Sequence, residues 1–246
     1  MATRAEPVSE ARDEIIKSIR SQLAASVPHD ARELLSHPHV EPDVTTVVEP
    51  NGDQGSHSLA ELFKASLEAV DGHCAIVNGD DEVVAEMTRI ISALQQTKLR
   101  GKRLAISDNP EVERLVQMMD LDVEALSIVP EKQEMFTFDV GISTVQAAIA
   151  ETGTLVLDAT RERHRLVSLV PPVHIALAKA SHIRQTLGET LAQLRNGEGE
   201  VSRAITFVTG PSRTADIELT LAIGVHGPQE LYVIIDALEC GASSPH

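Results

Sequence analysis

Aromatic residues are scarce in this sequence: Phe, Trp and Tyr make up 2% of 246 residues, and Trp is absent. Proteins that grip single-stranded nucleic acid stack bases on aromatic rings, and those that grip duplexes neutralise phosphates with clustered cations. Lys and Arg number 21 against 37 Asp and Glu, a formal net charge of −16, so both routes to a nucleic-acid surface are excluded. Cysteine is nearly missing as well. Cys74 and Cys240 lie far apart, and a four-cysteine iron–sulfur cluster cannot be assembled from two. Cys74 sits inside the apolar run "HCAIVNG" and reads as a small buried hydrophobe, whereas Cys240 belongs to a polar tail. The pair of imidazoles in "HPH" at 37–39 has no supporting cysteine and reads as a surface turn, so no metal is expected. Long apolar runs are lacking too: none approaches the roughly 20 residues of a membrane helix. The opening "MATRAEPVSEARDEIIKSIR" has no secretory apolar core. The expectation is a cytoplasmic globular enzyme or binding protein.

What is present is periodicity. Ile15, Ile16, Ile19 and Leu23 recur at helical spacing within 11–23, and a Pro-, His- and Asp-rich stretch follows through residue 58. That stretch, 27–58, reads as an irregular extension or a partner-binding arm. From Leu59 the pattern alternates. Leu59, Leu62, Phe63, Leu67 and Val70 predict a helix, "CAIVNG" a buried strand, and Val83 through Leu94 a second helix. "RLAIS" predicts a strand. "DNPEVERLVQMM" then opens a helix with Asp or Asn as cap and Pro in its first turn, and "LSIVP" predicts another strand. Strands alternating with helices imply parallel pairing in an α/β sheet.

In the second half "VQAAIAE" reads as a short helix and "TGTLVLD" as a strand. The double proline in "RLVSLVPPVHIALAKA" forces a bend between two apolar runs. Ser181 is placed as the cap of a helix carrying Ile183, Leu187, Leu191 and Leu194. "AITFV" is a strand. Ile217, Leu219, Leu221, Ile223 and Val225 alternate at the strand period, and "HGPQE" turns into "LYVIID", which predicts a hairpin. A helix over 214–225 is the alternative.

Two loops carry candidate chemistry. "TGPSRTAD" follows "AITFV", and ligands of open α/β sheets sit beyond the carboxyl ends of strands. Thr209, Gly210, Ser212, Arg213, Thr214 and Asp216 are its candidate binding residues. Gly210 permits close approach, the amides of 212–214 suit an anion, and Arg213 suits carboxylate or phosphate. The other reading is a tight turn in which Ser212 caps a helical turn and Arg213 pairs with Asp216. In "AETGTLVLD", Glu151 is a candidate base or nucleophile, or a solvated carboxylate at a strand start. Gly153 and Thr154 join it as binding candidates. His174 reads as a satisfied core histidine. His226, in "GVHGP", serves either a turn hydrogen bond or a ligand contact.

Three stretches taken together, "FDVGISTVQAAIAETGTLVLD", "RLVSLVPPVHIALAKASHI" and "ITFVTGPSRTADIELTLAIGVHGPQELYVIID", resemble the LUD domain of the LutC/YkgG lactate-utilisation family over residues 59–236. The resemblance implies a NagB/RpiA/CoA-transferase-like open sheet flanked by helices, with an N-terminal helical extension. Its divisions are 1–56 for the extension, 57–240 for the α/β domain and 241–246 for the tail. It also implies an accessory, non-redox subunit beside cysteine-rich iron–sulfur partners that oxidise L-lactate to pyruvate. The clusters would be held by those partners, with no cofactor on this chain and a small carboxylate or phosphate-containing ligand in its pocket. Related folds include CoA transferases with a catalytic glutamate, so a stand-alone acyl or CoA transferase, or a sugar-phosphate isomerase, is the alternative.

Overall fold

The computed structural model describes Lys17 and residues 52–159, 162–163, 165–196, 204–216, 220–223 and 227–238. The helix expected over 11–23, apart from Lys17, lies outside the described residues, as do the "HPH" turn, His226, Cys240 and the tail. The first half alternates as its periodicity implies: α1 (Gly52–Glu68), β1 (His73–Val77), α2 (Asp80–Gln95), β2 (Arg103–Ile106), α3 (Pro110–Gln117) and β3 (Ala125–Ile128). Helix α3 starts where the sequence places it. Asn109 is its cap, with the side-chain oxygen 2.9 Å from the Glu111 amide, and Pro110 follows where no amide hydrogen is needed.

The remaining elements are β4 (Val140–Thr144), β5 (Ala147–Ile149), β6 (Thr154–Asp158), β7 (Val173–Lys179), β8 (Ile183–Arg184), α4 (Leu187–Asn196), β9 (Ile205–Thr209), β10 (Arg213–Asp216), β11 (Thr220–Ile223) and β12 (Glu230–Asp236). Six strands form a parallel sheet in the order β1-β12-β7-β4-β2-β3. Alternate residues on a strand face opposite sides, and both sides here are covered. Ile106, Ile142, Ile175 and Ile234 pack with Met87 and Ile91 of α2 and Leu115 of α3. Ala176, Val233 and Ile235 pack with Phe63 and Leu67 of α1 and with Leu155 and Leu157 of β6. Burial on both faces explains why these strands read as unbroken apolar runs. Among the described residues no helix is long and apolar enough to cross a membrane.

A second, mixed sheet runs β8-β5-β6-β9, and β10 and β11 form a separate antiparallel pair. Here four sequence expectations are corrected. "VQAAIAE" is not helical: Ala147–Ile149 form β5, fully buried and paired on both sides, so tertiary pairing overrides the helical preference of alanine. Ser181 does not cap a helix. It lies in a 3-10 turn, Ile183 pairs with Ala148, and α4 begins only at Leu187. Of the alternating stretch, Leu221 and Ile223 lie on β11, as the strand period implies, while Ile217, Leu219 and Val225 lie outside the described residues; the partner of β11 is β10, and "LYVIID" instead lies between β1 and β7 in the parallel sheet. Finally, α1 begins at Gly52, inside the stretch read as irregular, because its apolar periodicity becomes visible only at Leu59.

Candidate functional site

Strand β2 leads outward to β3, whereas β4 leads, through the second sheet, to β7 on its other side. A crevice at such a change of direction, beyond the carboxyl ends of the strands, is where open parallel sheets hold ligands. A cleft of about 250 Å³ opens there, walled by Asn109, Thr144, Gln146, Lys179, His182 and Asp236. The sheet positions these side chains: Thr144, Lys179 and Asp236 end β4, β7 and β12, and Asn109 stands between β2 and α3.

Beside the cleft lies Glu162, only 3% exposed. Its Oε1 accepts the Thr144 amide at 3.0 Å. Its Oε2 accepts the Thr144 hydroxyl, Gln146 Nε2 at 3.2 Å and Asn109 Nδ2 at 3.4 Å. The two amide side chains are anchored from behind. Asn109 Oδ1 takes the Glu111 amide at 2.9 Å, and Gln146 Oε1 takes the Asp158 amide at 2.7 Å. A buried carboxylate without such donors would be strongly disfavoured.

The charges around the cleft are largely paired. Lys179 Nζ is 3.0 Å from Glu111. Arg114 hydrogen-bonds Asp80 at 2.7 Å and holds its carboxyl below the usual range. Asp236 accepts the amides of Gly79 and Leu238. Burial lowers the His182 imidazole, opposed by a contact with the Val145 backbone and reinforced by the Lys179 and Arg184 charges, so the ring on the cleft wall is neutral at pH 7. The cleft wall thus carries neutral hydrogen-bonding side chains together with Lys179 and the carboxylates of Asp80, Glu111 and Asp236.

The residues chosen from sequence gather elsewhere. Gly153 (φ +62) lies against the backbone of Leu67, and Gly210 (φ +77) against that of Val70, where an added Cβ would come within 2.4 Å and 2.7 Å of main-chain atoms. Thr154 and Thr209 touch through their hydroxyls. The Ser212 amide is engaged by Pro228 O at 2.8 Å, and Arg213 pairs with Asp71. Thr214 and Asp216 lie on β10, paired with Ala222 and Thr220. Since Asp71 and Pro228 precede β1 and β12, the loop sits at the amino ends of those strands. The cleft lies at their carboxyl ends, some 20 Å along the strand direction. Strand β9 belongs to the mixed sheet, so the expectation that this loop caps the open parallel sheet is corrected.

Glu151 is exposed, and its Oε1 accepts the Leu187 amide at 3.3 Å, at the start of α4. His174 is buried in the core, as expected, with Ser143 Oγ 3.0 Å from Nε2. Cys74 is half-buried, and burial pushes its thiol up to about 12, in keeping with a packed hydrophobe. Sequence reading missed Glu162, Thr144, Gln146 and Lys179. The available signal was position: each polar residue stands at, or just beyond, the carboxyl end of a buried apolar run.

A parallel sheet covered on both faces, with a cleft at its change of direction, defines an open α/β fold. Residues 60–235 match the LUD domain, and the chain belongs to that family. It is 38% identical over 122 residues to an uncharacterized protein of Neisseria meningitidis, covering 48% of this chain and 52% of that one. Lactate utilization protein C of Shouchella clausii is 38% identical over 101 residues, 40% of this chain and 44% of the relative. These two matches thus span about half the length of each relative. Lactate utilization protein C of Oceanobacillus iheyensis is 27% identical over 186 residues, 69% and 79% of the two chains. The crystal structure of a DUF162 family protein from Deinococcus radiodurans shares the fold, with a TM-score of 0.51 at 20% identity over 74% of this chain and 98% of the other.

Proposed function

We propose that this chain acts in lactate utilization, as the LUD-domain component of a cytoplasmic system that oxidises L-lactate to pyruvate. The observation that carries the reading is the LUD match over 60–235, joined to relatives named Lactate utilization protein C. Electron transfer is assigned to cysteine-rich iron–sulfur partner chains, because two cysteines fall short of the four one cluster takes. This chain contributes binding of a small organic acid. The carboxyl-end cleft suits such a ligand, offering hydroxyl and amide donors and Lys179 on one wall. Arg213, at the opposite ends of the strands, offers a separate contact for an anion, in which a ligand carboxylate replaces exposed Asp71. Glu151, tied to the start of α4, remains a candidate base should the ligand reach it.

The test is genetic and biochemical together. Deleting the gene should abolish growth on L-lactate, and the tagged full-length chain from lactate-grown cells should co-elute with iron, acid-labile sulfide and cysteine-rich proteins. Unimpaired growth on L-lactate would overturn the reading. Elution of the chain alone, with turnover of an acyl-CoA by the isolated protein, would replace it with a transferase.

A further inference from the structure

Glu162 occupies the place in the fold where an open parallel sheet ordinarily receives its ligand. The amide donors around its carboxylate are fixed independently of it. Turning the Asn109 amide over would withdraw the oxygen from the Glu111 amide, and turning Gln146 over would do the same to Asp158. Each flip would also set an oxygen against a carboxylate. Both NH2 groups therefore stay turned inward, beside the Thr144 amide and hydroxyl. Such a set recognises a carboxylate by four neutral donors and discriminates against a neutral amide, whose own NH2 would face them.

We propose that this cradle is a carboxylate subsite of the cleft, held here by the chain's own Glu162, and that a small monocarboxylic acid exchanges with it. Three lining residues of the cleft, Asn109, Thr144 and Gln146, are also the cradle's donors, so a ligand in the cleft already borders it. The backbone beside Glu162 is pinned, because Arg163 donates from N and Nε to Asp108, each at 2.6 Å. Exchange therefore asks only for rotation of the Glu162 side chain. One carboxylate replaces another and the hydrogen bonds are conserved. What favours Glu162 is its tether, which acts as a high effective concentration. The choice of lactate as ligand rests on the proposed function; the carboxylate chemistry of the cradle does not.

The full-length protein is to be titrated calorimetrically with acetate, L-lactate and lactamide. Wild type should bind the two acids weakly. Glu162→Ala, lacking the tethered competitor, should bind them at least about tenfold more tightly, with lactamide bound by neither. Adding Thr144→Val to Glu162→Ala should reverse the gain. No gain in Glu162→Ala, or an equal gain for lactamide, overturns the proposal. Should that variant fail to fold, the side-chain amide resonances of Asn109 and Gln146 in the wild-type protein provide the reading. They should shift with acetate, and resonances unmoved at saturating acetate overturn the subsite. Acetate bound without L-lactate upholds the subsite and removes lactate from the proposed function.

Discussion

Thr154 and Thr209 stand directly opposite one another across β6 and β9, their hydroxyl oxygens 2.8 Å apart. Thr152 extends the contact, 2.7 Å from Thr154. Two stretches far apart in sequence, "ETGT" and "VTGPSRT", are thereby joined through a hydroxyl chain beside two glycines, Gly153 seated against α1 and Gly210 against Val70 just past its end. Thr154→Val should cost about 1–3 kcal/mol, because Thr154 is buried and its hydrogen bonds to Thr152 and Thr209 are lost with little change of shape. Urea unfolding of Thr154→Val, Thr209→Val and the double variant checks this. The double variant should lose less than the sum of the single ones.

Asn109 serves both α3 and Glu162, and substitution separates the two roles. Asn109→Ala should cost about 0.5–2 kcal/mol through the lost cap. Asn109→Asp keeps the cap acceptor but brings a second carboxylate beside Glu162. Like charges raise the folded-state pKa values of the pair, so the folded state then binds more protons than the unfolded one. The stability deficit of Asn109→Asp should therefore shrink as pH falls from 7 toward about 4, and thermal melting against pH measures it. A deficit independent of pH would remove the charge argument.

Arg213→Ala should remain folded, since the Arg213–Asp71 pair is exposed and such pairs contribute little. If Arg213 holds an anion, ligand at about 100 times its Kd should stabilise wild type by about 2.7 kcal/mol, and most of that gain should vanish in the variant. Acetate, L-lactate, phosphate and CoA are to be screened by thermal melting on both proteins. Equal shifts in the two would take Arg213 out of the site.

His182 should make the fold sensitive to mild acid. Its pKa is lowered in the folded state by burial, so the unfolded chain takes up a proton first. The stability it contributes is complete above its unfolded value of about 6.5 and is lost as pH falls through the lower folded value. His182→Gln, which cannot titrate, should flatten the slope of melting temperature against pH in that window. An unchanged slope would assign the acid sensitivity to other groups.

The parallel half of the fold was open to sequence reading because each of its elements carries its own signal. Val83 through Leu94 announce a helix by spacing, Asn109 and Pro110 announce its successor by capping chemistry, and "RLAIS" announces a buried strand by continuity. Where the element type depends on a distant partner, local signals failed. Ala147–Ile149 have helical preference yet lie between β6 and β8, and Ile183 was assigned to a helix although it pairs with Ala148. The family itself was legible in the motifs of the second half. The cleft was not, because Asn109, Thr144, Gln146 and Glu162 are scattered polar residues until the sheet brings them together.

By itself, then, the sequence determined the class of protein: an acidic, cysteine-poor α/β chain of the LUD family with alternating strands and helices. Those properties are sums over composition and short-range periodicity, which a chain carries before it folds. Only the tertiary structure decided that "LYVIID" lies inside the parallel sheet, that the Arg213 loop sits at the amino ends of β1 and β12, and that a buried glutamate borders the cleft at the opposite end. Strand order and strand direction are set by pairing between segments distant in sequence. Which end of the sheet a loop occupies follows from that pairing, and no local pattern encodes it.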